Sequence, residues 1–407
     1  MKLLDVVYEG WGEQWLLGTL AHADKTLLFE YSADALQQKL ELSPRNLPLQ
    51  VPAFQGFPRH QWQLPGLIAD ALPDGWGLLL MDRLFRKRGM RPEALSSLDR
   101  LAFIGDRAMG ALSFKPSADM DLGDQDLSLL ALAQEAQAVV HDQETAALKV
   151  LARLGGSPHG ARPKVLVYVQ PDSGAISTHP IQGAEPWLVK FQAGSEHPEV
   201  CAIEFLYADL ARAFDIEMPE TRLFPLDKHL AAFGIKRFDR EQGLRVPILT
   251  MAGALDLNFR EPVASYEVLL QLTRLMTRSQ VDVDAAYRRA VFNVAFHNRD
   301  DHSKNFSYRL DRSRQWRLAP GYDLSFNSGP GGQHHMDICG EGLDVTRDHL
   351  MQLAGVGGIK PAFAATCIDH ACQLIEQFDA MAKALPIRVA TRRELVRAVT
   401  RTQALLR

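Results

Sequence analysis

The sequence predicts an α+β protein: a small β-rich N-terminal subdomain, then a mixed segment, then a helical C-terminal half. Three observations carry this expectation. Short β-type runs fill residues 1 to about 50 and return at VLVYVQ and PWLVKFQ. From about Ser265 the apolar residues recur with a period of 3.6, the signature of amphipathic helices. Between the two lies PSADMDLGDQDLS, Pro116 to Ser128, an acidic, unperiodic stretch of small residues that reads as a linker.

Taken in order, VVYEGW, EQWLLGTLA and KTLLFEYS read as strands, with a polar turn at His22-Ala23-Asp24-Lys25. GWGLLLMDRLFRKRG, around Gly75 to Arg88, sets apolar residues on one face and basic ones on the other, so a helix is expected. After the linker come a glycine-rich turn, LGGSPHGARPK, two strands, VLVYVQ and PWLVKFQ, and a helix from about Pro198 to Phe214. ETRLFPL and LAAFGIKRF add strands that end near Arg240, and YEVLLQLTRLMT, AAYRRAVFNVAFHN and the long C-terminal stretch supply helices. The expected domains are 1–115, a linker at 116–145, a mixed unit at 146–240 and a helical unit at 241–407.

Composition narrows the classes. With 407 residues, 46% of them hydrophobic, the chain can bury a large core. Its 45 basic and 49 acidic residues leave a net charge of -4, so no global footprint of nucleic-acid binding is present. Local basic runs, Arg83 to Arg91 and Arg388 to Arg401, read as solvated helix faces. The four cysteines, Cys201, Cys339, Cys367 and Cys372, form no C-x-x-C pair, and the N-terminus carries an acid at position five, so a cytoplasmic protein without signal peptide or membrane span is expected.

The most informative segment is HNRDDHSKN, His297 to Asn305, followed by Asp323 in GYDLSF. Asp300 and Asn305 stand five apart, the spacing by which a protein-kinase catalytic loop sets an aspartate against the acceptor hydroxyl and an asparagine against magnesium. Phosphoryl transfer asks for a base, hard oxygen ligands for the metal and cations for the triphosphate. Asp300 is the candidate base, Asn305 and Asp323 the candidate Mg2+ ligands, Lys304 and Lys190 candidate cations. The fold then expected is two-lobed and protein-kinase-like, with a mixed N-lobe and a helical C-lobe.

Lys190 sits in WLVKFQ, where its neighbours belong in a sheet, and Glu204 in the next helix is its candidate partner, as a kinase pairs its β3 lysine with a helical glutamate. The turn from Gly155 to Lys164 matches neither G-x-G-x-x-G nor a Walker loop. Its glycines still let backbone N–H groups approach phosphate, and Arg162 and Lys164 add positive charge. Two bland readings compete: a mobile surface loop, and a strand-edge lysine. His297, Asp300, Asp301 and His302 also admit a metal-hydrolase reading, although they lack H-x3-H spacing; His334 and His335 near Asp337 and Cys339 admit a further metal site or an activation-segment loop.

SPHGARPK, WLVKF, Ile203-Glu204, IKRFDR, HNRDDHSKNFS and APGYDLSF, in that order, resemble the motifs of the HipA family of toxin kinases, and ALPDGWG and FIGDRAMGALSF resemble its N-terminal subdomain. The likeness covers nearly the whole chain. It implies a serine/threonine protein kinase that uses ATP and Mg2+, with Asp300 as catalytic aspartate, Asn305 and Asp323 as metal ligands, Lys190 as the phosphate-contacting lysine and Glu204 as its partner. It further implies that Ser157, His159, Gly160, Ala161, Arg162 and Lys164 contact ATP, that Lys236 to Phe238 form the adenine hinge, that His302 lies near the phosphates, and that Ser157 is autophosphorylated with ejection of its loop. The family's loop commonly has Gln-Glu or Gln-Pro where Arg162-Pro163 stands here, and its hinge commonly has glutamate at Lys236.

For partners, the resemblance implies a small helix-turn-helix, HipB-like antitoxin that carries the contact with operator DNA, and an aminoacyl-tRNA synthetase as protein substrate. An inactive kinase-like co-repressor or scaffold is the non-enzymatic alternative; the joint presence of Lys190, Asp300, Asn305 and Asp323 argues against it.

Overall fold

The computed structural model describes residues 2–23, 26–118, 120–194 and 196–407. Asp24 and Lys25 of the expected polar turn, and Asp119 of the expected linker, therefore lie outside the described residues. The chain divides into two compact units. The first comprises Met1–Pro198, Arg222–Leu249 and Gly253–Asp256, the second Glu199–Thr221, Thr250–Ala252 and Leu257–Arg407.

In the first unit, β1 (Leu3–Tyr8), β2 (Trp15–Ala23), β3 (Thr26–Tyr31) and β4 (Leu112–Lys115) form an antiparallel sheet in the order β3-β2-β1-β4. Alternation puts Leu4, Val6 and Tyr8 of β1 and Leu27, Phe29 and Tyr31 of β3 into its core. Four helices, α1 (Ala33–Gln38), α2 (Gly66–Ala69), α3 (Gly75–Lys87) and α4 (Ser97–Ile104), separate β3 from β4 in sequence. On α3 the buried residues are Trp76, Leu80, Met81, Leu84 and Phe85, one face at helical spacing, while Arg86 and Lys87 stay exposed.

The stretch expected as a linker contains a packed helix. Its acidic part ends at Ser128, whose hydroxyl accepts from the Ala131 N–H at 3.2 Å and so caps α5 (Leu129–Val140). Leu132, Ala133, Ala136 and Val139 are then wholly buried. After α6 (Leu148–Gly155) comes a second sheet, in the order β6-β5-β7-β9-β8, made of β5 (Lys164–Val169), β6 (Ile176–Ser177), β7 (Glu185–Phe191), β8 (Thr221–Pro225) and β9 (Ala231–Lys236). The hairpin β10 (Arg240–Glu241) and β11 (Leu244–Arg245) turns through Gln242 and Gly243, both at positive φ as a type I′ turn requires. Arg245 pins this hairpin to the first sheet, donating to the carbonyls of Gly110 at 2.9 Å and Leu112 at 2.8 Å and pairing with Glu9 at 2.8 Å.

The chain passes between the units through β12 (Ile248–Thr250) and α8 (Met251–Leu255). The second unit is built from α7 (Glu199–Ala213), α9 (Tyr266–Thr277), α10 (Gln280–Ala295), the hairpin β13 (Ser307–Leu310) and β14 (Trp316–Leu318), α11 (Arg347–Val356), α12 (Pro361–Lys383) and α13 (Val389–Leu406). Its core is aromatic: Tyr207 of α7 meets Phe292 at 6.2 Å and Phe378 at 6.4 Å edge-on, and Phe292 packs on Phe296 at 4.8 Å. The Tyr207 hydroxyl donates to the Phe296 carbonyl, fixing the end of α10 where the HNRDDHSKN segment begins. Truncating a wholly buried Phe such as Phe296 costs about 3–5 kcal/mol. The HNRDDHSKN segment thus leaves a rigid support. No helix among the described residues is long and apolar enough to cross a membrane.

Candidate active site

The loop after α10 is shaped by its own side chains. His297 turns the chain at a φ of 53°, and its Nε2 meets Thr402 Oγ1 of α13 at 2.6 Å. Ser303–Asn305 forms a single 3-10 turn whose first free amide, Lys304 N–H, donates to His302 Nδ1 at 3.2 Å. Asn305 closes the loop, its Nδ2 donating to the Asp300 carbonyl at 2.7 Å. That bond uses the amide nitrogen and leaves Asn305 Oδ1 as the oxygen available to a cation.

Asp323 follows the β13–β14 hairpin in sequence. It sits at a φ of 56°, in the left-handed region that aspartate tolerates better than most residues. Two ties hold its segment to the His297–Asn305 loop. The Tyr322 hydroxyl donates to the Lys304 carbonyl at 2.7 Å and bonds Ser307 Oγ, and the Asn327 N–H donates to the His297 carbonyl at 2.9 Å.

The Asp300 side chain is 56% exposed. Desolvation by the surrounding chain raises its pKa above the ordinary carboxylate value; His302 pulls it down, and the neighbouring Asp323 carboxylate pushes it up again. A raised pKa suits a carboxylate that must accept a proton in a transition state. His302 Nε2 stands 4.0 Å from Asp300 Oδ1, beyond a hydrogen bond, and Lys304 Nζ lies 4.3 Å over the Phe259 ring.

The metal-hydrolase reading fails here. His297 is spent on Thr402, and Asp301 is buried among other donors, accepting from the Tyr266 hydroxyl at 2.7 Å, His334 Nδ1 at 2.7 Å and the His335 N–H at 2.8 Å. Burial works against the Asp301 carboxylate, yet His334 and these hydrogen bonds hold its pKa below the ordinary value. Among the described residues no group of three or more His, Cys, Asp or Glu can hold a metal ion, so neither the His297–His302 cluster nor His334, His335, Asp337 and Cys339 make a centre. The paired oxygens of Asn305 and Asp323 still suit magnesium, which keeps waters and phosphate oxygens as most of its ligands.

In the first unit, the loop from Gly155 to Lys164 is held by the ALPDGWG segment. His159 Nε2 meets the Leu72 carbonyl at 2.9 Å, the Gly160 N–H donates to Asp74 Oδ1, the Trp76 N–H donates to the Gly160 carbonyl at 3.0 Å, and Trp76 Nε1 donates to the Lys164 carbonyl at 2.9 Å. Two glycines permit this approach. Gly160 has a φ of 99° and a Cβ there would lie 2.4 Å from Lys164 Nζ, while a Cβ on Gly75 would lie 2.7 Å from the Gly160 carbonyl oxygen. Ser157 is only 2% exposed and its hydroxyl makes no hydrogen bond, so it is not the exposed turn serine that glycine and proline neighbours suggest. Arg162 is engaged by Glu196 at 3.0 Å; Ala161 is exposed.

Lys190 on β7 stands directly across from Lys164 on β5, so both side chains leave the same face of the sheet. Both are buried. Lys164 Nζ donates to the His159 carbonyl at 2.5 Å. Glu204, the expected partner of Lys190, is a buried residue of α7 in the second unit.

At the expected hinge, Lys236 Nζ pairs with Glu185 at 2.6 Å, so the lysine standing in place of glutamate answers a carboxylate on the neighbouring strand. Phe238 is half-buried. Next to it Asp239 binds Arg237 and Arg240 and accepts from the Gly110 N–H at 2.8 Å; burial opposes its charge, but the two guanidiniums hold its pKa far below the ordinary value. Sequence reasoning missed the contacts that Asp74, Tyr266, Arg299, Tyr322 and His334 make with these loops. Their partners lie up to 86 residues away, and no local pattern marks such contacts.

The sequence model of the HipA N-terminal domain matches residues 5–115, and that of the HipA-like C-terminal domain matches residues 156–385. Among solved structures, the chain is similar to one described as the Shewanella oneidensis MR-1 toxin antitoxin system HipA, HipB and its operator DNA complex. The two share 18% identity over 98% of this chain and 96% of that one, with a TM-score of 0.69. A Helicobacter pylori proinflammatory kinase, CtkA, aligns with 56% of this chain and 89% of its own at 12% identity and a TM-score of 0.41. No curated protein matches the chain by sequence. The Shewanella likeness shows a shared mixed α and β fold over almost the full length. With the C-terminal-domain match alone spanning more than half of its residues, this protein belongs to the HipA family.

Proposed function

We propose that the protein is an ATP- and Mg2+-dependent serine/threonine protein kinase that acts as the growth-inhibiting toxin of a type II toxin–antitoxin pair. The observation that carries this reading is the joined geometry of Asp300, Asn305 and Asp323, in which one loop fixes the asparagine amide and the adjoining segment brings a second carboxylate beside the first. Asp300 accepts the proton of the acceptor hydroxyl. Asn305 Oδ1 and the Asp323 carboxylate hold magnesium, which when bound neutralises charge on the transferring phosphoryl group. Lys190 and the loop through Lys164 are the proposed phosphate contacts, His302 is a further proposed contact, and Lys236 to Phe238 are the proposed adenine hinge.

Ser157 is proposed as an autophosphorylation site; its burial requires the Gly155–Lys164 loop to leave its seat before the hydroxyl can react. The relative crystallised with HipB and operator DNA supports a helix-turn-helix antitoxin as partner, with DNA reached mainly through it. An aminoacyl-tRNA synthetase is the proposed substrate and the cytoplasm the proposed compartment. The test is transfer of the ATP γ-phosphoryl group to the protein itself and to candidate synthetases, with and without magnesium. Transfer that needs magnesium and disappears in Asp300→Asn supports the assignment, and equal transfer by wild type and Asp300→Asn removes it.

A further inference from the structure

Asp300 is flanked by two side chains that grip the same later stretch of chain. On one side Arg299 donates through Nη1 to the Gly332 carbonyl and through Nη2 to the Leu343 carbonyl at 2.9 Å. On the other, Asp301 accepts from His334 Nδ1 at 2.7 Å and from the His335 N–H at 2.8 Å. The stretch between these grips is itself seated. His334, Met336 and Ile338 alternate inward and are buried, and the Tyr266 N–H donates to the Asp337 carbonyl at 3.0 Å. His335 turns the other way, its ring 5.8 Å from that of His302.

The chemistry of the two grips makes seating close to all-or-none. A buried carboxylate is tolerated only when its lone pairs are filled, and Asp301 has three donors, two of them from the stretch it holds and the third from Tyr266. Release of the stretch leaves that charge short of partners. Tyr266 is in turn braced by Asn293 Nδ2 at 2.9 Å, and Asn293 by Asn298 Nδ2 at 2.9 Å, so the grip is rooted in α10. The hydrogen bonds of the Arg299 guanidinium among the described residues go to main-chain carbonyls, so they follow where the stretch lies rather than which side chains it carries.

We propose that Arg299 and Asp301, through Gly332, His334 and Leu343, are positioning residues that aim Asp300: phosphoryl transfer to a protein hydroxyl requires the 332–343 stretch to be seated against the catalytic loop. This rests on the kinase reading above. The stretch follows Asp323 in sequence, so one continuous segment supplies both the metal ligand and the device that orients the base.

The experiment combines hydrogen exchange over peptides spanning 332–343 with steady-state phosphoryl transfer in the full chain, for wild type, Arg299→Ala, His334→Leu and His334→Asn. An asparagine amide N–H falls where the imidazole Nδ1 stood, so His334→Asn restores the donor to Asp301. Arg299→Ala and His334→Leu are expected to exchange faster in this stretch and to lose about 10- to 100-fold in kcat, with KM for ATP within about twofold of wild type. His334→Asn is expected to recover kcat to within about threefold of wild type. Unchanged exchange in both Arg299→Ala and His334→Leu overturns the grip itself. Faster exchange with unchanged kcat overturns the positioning role. So does a matching loss of ATP affinity without rescue by His334→Asn, the pattern of a general folding defect. An inactive wild type overturns the kinase reading and with it the positioning role, and exchange alone then decides whether the grip exists. If His334→Leu fails to fold, Arg299→Ala carries the same comparison.

Discussion

The side-chain amide of Asn305 donates to the main-chain carbonyl of Asp300 at 2.7 Å. The five-residue spacing therefore closes a ring as well as presenting two polar groups, and the asparagine cannot move without moving the aspartate. Asn305→Asp removes the donor and sets a further negative charge beside a carboxylate whose pKa is already raised. Initial rates of transfer from ATP are expected to fall at least about 100-fold in Asn305→Asp and about 10²- to 10⁴-fold in Asp300→Asn. Asp300→Asn should keep its thermal stabilisation by ATP. Wild-type rates in either variant would separate these residues from the reaction.

Lys190, across from Lys164 in the sheet, gives a prediction that separates nucleotide binding from folding. Lys190 is buried and engaged within the fold, so without ATP Lys190→Met is expected to lower the melting temperature. With ATP the same variant should lose most of the ligand-induced rise, since a tenfold weaker affinity is about 1.4 kcal/mol of binding free energy. A melting series with and without Mg-ATP decides it. A variant that melts lower without ATP and keeps the full rise with it would make Lys190 structural.

His297 sets a pH window for folding. Burial first, then the charges of Arg299 and His334, lower its pKa from 6.5 to about 4. Between those values the unfolded chain binds a proton that the folded chain does not, so stability falls as pH drops through the window and levels off below it. The loss amounts to about 3 kcal/mol at most. His297→Gln keeps a polar atom near the Nε2 position that meets Thr402 and does not titrate. Urea unfolding from pH 7 to about pH 4 should give a shallower pH dependence for His297→Gln than for wild type. Superimposable curves would show that the ring is not titrating there.

Elements whose pattern is local were legible in the sequence. The pattern in KTLLFEYS gives β3, VVYEGW overlaps β1 only at Val6–Tyr8, and the helical period in YEVLLQLTRLMT gives α9, because each pattern is fixed by neighbours within two turns or one pleat. The Asp300–Asn305 spacing was legible for a similar reason: closing the loop through the Asn305 side chain dictates residue type at short range. The basic runs, read as solvated helix faces, are in part tied down, with Arg83 on Asp142 at 2.7 Å and Arg392 on Asp379 at 3.1 Å. What stayed hidden depends on tertiary register. That Lys164 faces Lys190 follows from the β5–β7 pairing, and that Asp74 takes the Gly160 N–H instead of capping α3 follows from the packing of ALPDGWG on the loop. Asp301 reads in sequence as a metal ligand or a solvated turn, and only the fold brings Tyr266 and His334 to it.

Ser157 offers a test of the loop in both chemical directions. Its hydroxyl is buried and unbonded, so replacing it removes a polar group that nothing satisfies. Ser157→Ala is expected to be neutral or to stabilise by up to about 1 kcal/mol, against the usual sign for a core substitution. Ser157→Asp puts a charge into the same place. It should drive the Gly155–Lys164 loop from its seat, which removes Lys164 and the neighbouring amides from the nucleotide and weakens ATP binding by at least about tenfold. Phosphorylation adds about -1.5 to -2 charges at that oxygen and should act in the same direction more strongly. Mass spectrometry after incubation with Mg-ATP tests for the phosphate, and ATP titration of the two variants tests its consequence. Absence of phosphate at Ser157 would end the autophosphorylation proposal, and unchanged ATP affinity in Ser157→Asp would show that a charge at this position does not govern the loop.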